Sequence, residues 1–170
     1  MASSLKSACY MIFVRIIYAQ NSLIKTMYME EPMEKAPLLL ETVEQAVRIL
    51  QESPFVAIWD YKVLSVQAGA VALALPAQPQ FYRPGGIIQG GCLMTLADTA
   101  FWLAAMTELG IDAPIVTLEM KTNFLRAAQA DVYCRAEVMK SGRRVTYGTA
   151  TITDAAGQTL SHHTLTYLAA

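Results

Sequence analysis

Residues 81–106 read FYRPGGIIQGGCLMTLADTAFWLAAM. After Arg83 the only charged side chain in this stretch is Asp98, set among apolar and small residues. An ionised carboxylate taken out of water costs several kcal/mol unless it is paired or hydrogen-bonded, so this acid either points away from the core or does chemistry. From Gly91 to Thr107 apolar residues fall on nearly every side of a helical wheel, over a length too great for one strand. Gly90 and Gly91 precede the run and Gly110 follows it. That pattern predicts a buried helix. Thr95, Asp98 and Trp102 share one of its faces, since residues three and four apart are neighbours.

On either side the pattern changes period. PLLLETVEQAVRILQE (37–52) carries Leu39, Val43, Ala46, Val47 and Leu50 at helical spacing and is closed by Pro54, which predicts an amphipathic helix. VAIWDYKVLSV (56–66) and AVALALPA (70–77), parted by Gln67, Ala68 and Gly69, predict a β-hairpin. Beyond the central helix lie IVTLEMKTNFLRA (115–127), ADVYCRAEVMKS (130–141), RVTYGTATITDA (144–155) and QTLSHHTLTYLA (158–169). Their alternation, β-branched content and turns at Ser141-Gly142 and Asp154–Gly157 predict an antiparallel meander. The class is α+β: a six-stranded antiparallel sheet wrapped around a long central helix, with an N-terminal helix. A helix that is apolar all round needs sheet on one side and a second apolar surface on the other. One sheet covers only the first, so a second copy of the chain is expected on the uncovered side.

Composition points the same way. The 170 residues suit one ordinary domain, and a hydrophobic share of 54% against 16% charged exceeds what a monomer of this size usually buries. Thirteen basic against fourteen acidic residues, net −1, leave no broad positive field for a nucleic acid backbone. Cys9, Cys92 and Cys134 are odd in number, far apart and in no metal spacing, so reduced thiols in a cytoplasmic protein are expected, with no metal and no cofactor. No apolar run reaches the ~20 residues of a membrane span. Residues 1–36 carry Lys6, Arg15 and Lys25 with no acid before Glu30. They read as an appended segment without a role in the chemistry, either leader-like or the product of start-codon choice at Met27, Met29 or Met33. Residues 37–170 read as one domain.

Two half-sites are visible. Gly90 and Gly91 open a helix whose first amides have no internal partner, a setting that stabilises a developing oxyanion. Asp98 lies eight residues on, about 12 Å along the helix axis. One carbonyl cannot touch both groups, so a shared site requires two chains packed in opposite directions, that is, a dimer with composite sites.

The pattern R-P-G-G-I-I-Q-G-G-C-L-M-T-L-A-D-T-A, followed by V-T-L-E-M-K-T-N-F-L-R-A-A, resembles the hot-dog-fold thioesterases of the phenylacetate-degradation (PaaI-like) group, over about residues 38–168. The resemblance implies hydrolysis of an acyl-CoA thioester by a dimer or a dimer of dimers. Asp98 would be general base or nucleophile, Gly90 the oxyanion donor and Thr117 a residue that helps to place water. Two positions depart from the family pattern, Gln89 where many members have His and Arg83 where many have Asn. Gln89 can donate a hydrogen bond but cannot titrate. Arg83 could polarise the carbonyl or hold a carboxylate or phosphate of the substrate. These departures motivate the alternative, a non-catalytic acyl-CoA-binding protein. Gly91 would join the substrate site, and Arg143 and Arg144, which with Lys140 flank a turn, could meet CoA phosphates or form a solvated tip.

The remaining candidates have plain readings. Threonine at 117 is ordinary in a strand. Cys92 reads as a small buried hydrophobe. His162 and His163 alternate across the last strand, so one should face inward and one outward, and Phe101, Trp102 and Phe124 serve equally as core or as the wall of an acyl tunnel.

Overall fold

The computed structural model describes residues 37–169, so the expectation for residues 1–36 lies outside the described residues. The first helix, α1, spans Val43–Glu52 rather than beginning at Pro37. Thr42 caps it: its hydroxyl accepts from the Gln45 amide while the Gln45 side chain accepts from the Thr42 amide, closing a capping box. Ahead of the cap the chain is extended and held elsewhere. The Leu40 amide donates to the Met106 carbonyl and the Ile111 amide to the Leu38 carbonyl. After α1 comes a 3-10 turn, Pro54–Val56, and then Asp60 with φ 52°. The run read as a strand from Val56 therefore enters the sheet only at Lys62, because Pro54 and the left-handed Asp60 break the extended backbone.

The sheet has six strands: β1 Lys62–Gln67, β2 Ala70–Leu75, β5 Ile115–Phe124, β6 Val132–Ser141, β7 Val145–Thr153 and β8 Thr159–Ala169. Their spatial order is β1-β2-β6-β7-β8-β5, antiparallel throughout. The last three strands form the expected meander, but β5 does not open it. The hairpin strand β2 occupies the edge of β6, so β5 crosses to the far edge and pairs with β8. A smaller ribbon, β3 Tyr82–Arg83 with β4 Ile87–Ile88, turns through Pro84, Gly85 and Gly86, where the two glycines take φ of 100° and 69°. Four paired residues are too few to leave a period in the sequence, and this stretch reads there as loop.

The central helix, α2, spans Gly90–Leu109. Phe101, Leu96 and Leu103 on it are fully buried, and each such side chain contributes roughly 1.5–3 kcal/mol of burial. It lies so close to β7 that a Cβ on Gly148 would stand 2.4 Å from the Phe101 ring and 2.1 Å from the Glu137 carbonyl oxygen, so only glycine fits there. The sheet does not cover the helix completely. Gly91, Met94, Thr95, Asp98 and Trp102, spaced as one helical stripe, all keep some exposure while their neighbours on the other faces are buried. No helix among the described residues is long and apolar enough to cross a membrane.

Candidate active site

Asp98 is half-buried in the middle of that stripe. Its Oδ1 accepts from the Thr117 hydroxyl at 3.0 Å and from the Tyr167 hydroxyl at 2.8 Å. Thr117 of β5 and Tyr167 of β8 are direct cross-strand partners, so the sheet register itself aims two hydroxyls at one carboxylate oxygen. The Tyr167 ring is fixed edge-on against Phe101, with centroids 5.0 Å apart at 89°. Burial first, and the Asp98 charge second, push the Tyr167 hydroxyl well above the ordinary phenol range, so it stays a donor at any working pH. Among the described residues nothing meets Asp98 Oδ2. One oxygen is clamped and the other is free, in a cleft of about 300 Å³ lined also by Phe55, Thr99, Trp102, Ile115 and Val116.

Gly90 lies in a different cleft, of about 500 Å³, with Arg83, Ile87, Leu93, Phe124 and Arg126 among its walls. Gln89 is the helix cap, and its side-chain oxygen accepts from the Gly91 amide. The Cys92 amide is taken by the Gln89 carbonyl. Of the first three helical amides only that of Gly90 has no acceptor among the described residues. A Cβ at position 90 would lie 2.8 Å from Phe124 Cζ, the far end of an exposed side chain, so a larger residue is accommodated once that ring shifts. Arg126 donates to the Thr159 carbonyl at 2.9 Å, whereas Arg83 is exposed on the ribbon.

The structure therefore gathers Asp98 and Thr117 in one cleft and Gly90 and Arg83 in another. Gln89 and Gly91 stand at the helix start, bound to each other. Arg143 and Arg144 are exposed in the β6–β7 turn and line neither cleft. Cys92 is buried, and burial raises its thiol pKa, which makes it a poor nucleophile. His163 faces inward and is fully buried, with Nδ1 at 2.9 Å from the Thr122 hydroxyl and Nε2 at 2.9 Å from the Ser161 hydroxyl, while His162 on the other face meets Thr151. The reading from sequence missed Tyr167 and Phe55. Tyr167 had one available signal: it continues the inward alternation of Ser161, His163 and Leu165 on the last strand. Phe55 had none, because its place depends on the turn that follows α1.

Residues 85–161 match the thioesterase superfamily. Over 97 residues, 57% of this chain, the sequence is 30% identical to a Saccharolobus solfataricus protein named "putative esterase", and the match spans 62% of that relative's length. Among solved structures the chain resembles zebrafish thioesterase superfamily member 2, with 30% identity and a TM-score of 0.69 over 78% of this chain and 99% of the other. It also resembles a phenylacetic acid degradation-related protein of Ralstonia eutropha, with 27% identity and a TM-score of 0.65 over 72% and 98% of the two chains.

Proposed function

The chain belongs to the thioesterase superfamily, and from that premise we propose that it hydrolyses an acyl-CoA thioester at composite sites of a homodimer. The observation that carries the reading is the clamp on Asp98: one oxygen held by Thr117 and Tyr167, the other facing a cleft. Water in that cleft gives a proton to Asp98 Oδ2 as its oxygen adds to the thioester carbon. The carbonyl oxygen, now an oxyanion, is met by the Gly90 amide of a second copy. The C–S bond then breaks, and the departing sulfur takes the proton back from Asp98 to leave as a thiol. Gln89, with its oxygen bound to Gly91, keeps its amide nitrogen for the substrate.

The dimer is inferred from three features. Gly90 and Asp98 lie about 12 Å apart on one straight element, too far for one carbonyl. β5 is an edge strand, and Val116, Leu118 and Phe124 on it are exposed. The uncovered stripe of α2 runs past both half-sites. A second dimer could join through the outer sheet face, and a cytoplasmic location is part of the same proposal.

The test follows free thiol from a panel of acyl-CoA esters. Wild-type protein should release it. Asp98→Asn and Gly90→Pro, which deletes the amide at a helix position that accepts proline, should each be inactive. Unfolding and refolding the two variants together should restore about a quarter of wild-type activity, since half the dimers then carry one intact site of two. Active single variants, or a mixture no better than its components, would contradict composite sites. Binding of acyl-CoA without thiol release would favour the non-catalytic alternative.

A further inference from the structure

The two clefts differ in charge as well as in position. The Asp98 cleft is walled by Phe55, Trp102, Ile115 and Val116, and no basic side chain among the described residues lines it. Its hydroxyl donors are already used, since those of Thr117 and Tyr167 serve Asp98 and Thr99 is only 3% exposed, so the polar atom left open is an acceptor, Asp98 Oδ2. A carboxylate entering there would lose water, find no free donor and face the Asp98 carboxyl, which costs several kcal/mol. The Gly90 cleft, in contrast, carries Arg83 and Arg126.

Phe55 and Trp102 form the aromatic part of the first wall. Their rings lie 6.1 Å apart at 58°, a tilted pair. Trp102 is one helical turn beyond Asp98 on the uncovered stripe. Phe55, on the 3-10 turn after α1, keeps 59% of its surface exposed, and Ile58 beside it keeps 64%. A large ring on a short turn, exposed and lining a cleft with the candidate base, is surface that an apolar ligand would cover.

We propose that Phe55 and Trp102 are the specificity-determining pair: the acyl group of the substrate lies against them in the Asp98 cleft, and the enzyme selects uncharged, apolar acyl groups over those that end in a carboxylate. This rests on the hydrolytic reading, in which Asp98 of one copy and Gly90 of another share the thioester. The anionic carrier on the sulfur side then runs along the arginine-bearing cleft of the second copy.

The experiment measures kcat/KM for straight-chain CoA thioesters from acetyl upward, with an ω-carboxylated ester of matched length. Burial of each methylene in the cleft predicts a rise of about fourfold per carbon over the first few carbons. The carboxylated ester should be slower than its neutral counterpart by about a hundredfold or more. Phe55→Ala and Trp102→Ala should each reduce the ratio of the longer ester to acetyl by about tenfold or more. Phe55→Leu, which keeps apolar area at the exposed turn, should restore most of that ratio. Inhibition by free CoA, which has no acyl group, should change by less than about twofold in the Phe55 variants and weaken in Arg83→Ala. A flat wild-type profile, an unchanged ratio in Phe55→Ala, or a carboxylated ester turned over as well as the neutral one would overturn the proposal. So would Phe55→Ala weakening CoA inhibition, because the carrier would then occupy this cleft. If the wild-type protein released no thiol from any ester, hydrolysis would fall. The same length and charge series in uncleavable thioethers, read as binding affinity, would still decide the acyl assignment.

Discussion

Two clefts open along one helix, and they are built in opposite ways. Around Asp98 the parts come from the helix, from β5, from β8 and from the turn after α1, and hydrogen bonds between distant segments hold them. Around Gly90 half of them come from one continuous piece of chain, the ribbon and the helix start, and half from a second, the end of β5 and the loop after it, with a free amide and cations at the edge. The first is a finished acid with one oxygen in use; the second is a donor with nothing to receive it. In the proposed reaction both halves are needed, and the helix keeps them too far apart to meet within one chain. Preorganisation is thus unequally divided: the candidate base needs tertiary structure to set it, whereas the proposed oxyanion donor needs little more than a free amide at a helix start.

The comparison can be broken most directly at Asp98. Asp98→Asn keeps the shape and should lower turnover by roughly two to four orders of magnitude, with the melting temperature hardly moved. Turnover within tenfold of wild type would erase the distinction between a catalytic and a structural acid.

The next largest effect lies between the clefts. Thr122 and His163 pair across β5 and β8, between Thr117 at one cleft and Phe124 at the other. Burial, and to a lesser degree His162, holds the His163 imidazole down at about 4, below the ordinary histidine value of 6.5. The unfolded chain therefore takes up a proton at a higher pH than the folded one. Stability should be fully present above about pH 6.5 and fall by up to about 3 kcal/mol on the way to pH 4, as seen in urea melts across that range. His163→Gln should flatten that dependence; a melt insensitive to pH in both proteins would refute it.

Smaller changes sharpen the account of the clamp. Tyr167→Phe removes the closer of the two donors on Oδ1, and a hydrogen bond to a charged group contributes about 1.5–3 kcal/mol, so turnover should drop about ten- to a hundredfold. Thr117→Val removes the longer bond from an exposed position, with an expected loss of only a few-fold. The reverse order of these two would move the principal orienting role to the edge strand. The smallest effect concerns Tyr61, whose hydroxyl is buried and has no hydrogen-bond partner among the described residues. Tyr61→Phe should leave stability unchanged or raise it by about 1 kcal/mol, measured by thermal melting.

Much of this was legible without coordinates. The apolar circumference of residues 91–107 marks the buried helix, and the lone acid within it marks the candidate site, because both signals are local and carry a large cost if violated. The unpaired Gly90 amide was legible for the same reason. The clamp was not: nothing in the chain says that Thr117 will face Tyr167, fifty residues away, until the register of β5 against β8 is known. The meander was read one strand too long on the assumption that sequential strands are neighbours, and pairing of β2 with β6 decided otherwise.

Which segment is buried, which acid is out of place and where the free helical amide lies follow from local sequence alone, since periodicity, burial cost and helix-end chemistry act over a few residues. Only the tertiary structure decided which strand lies at the edge, which hydroxyls grip Asp98 and which aromatic ring stands beside it. Those facts depend on contacts between residues tens of positions apart, and the free energy of such contacts exists only once the sheet has closed around the helix.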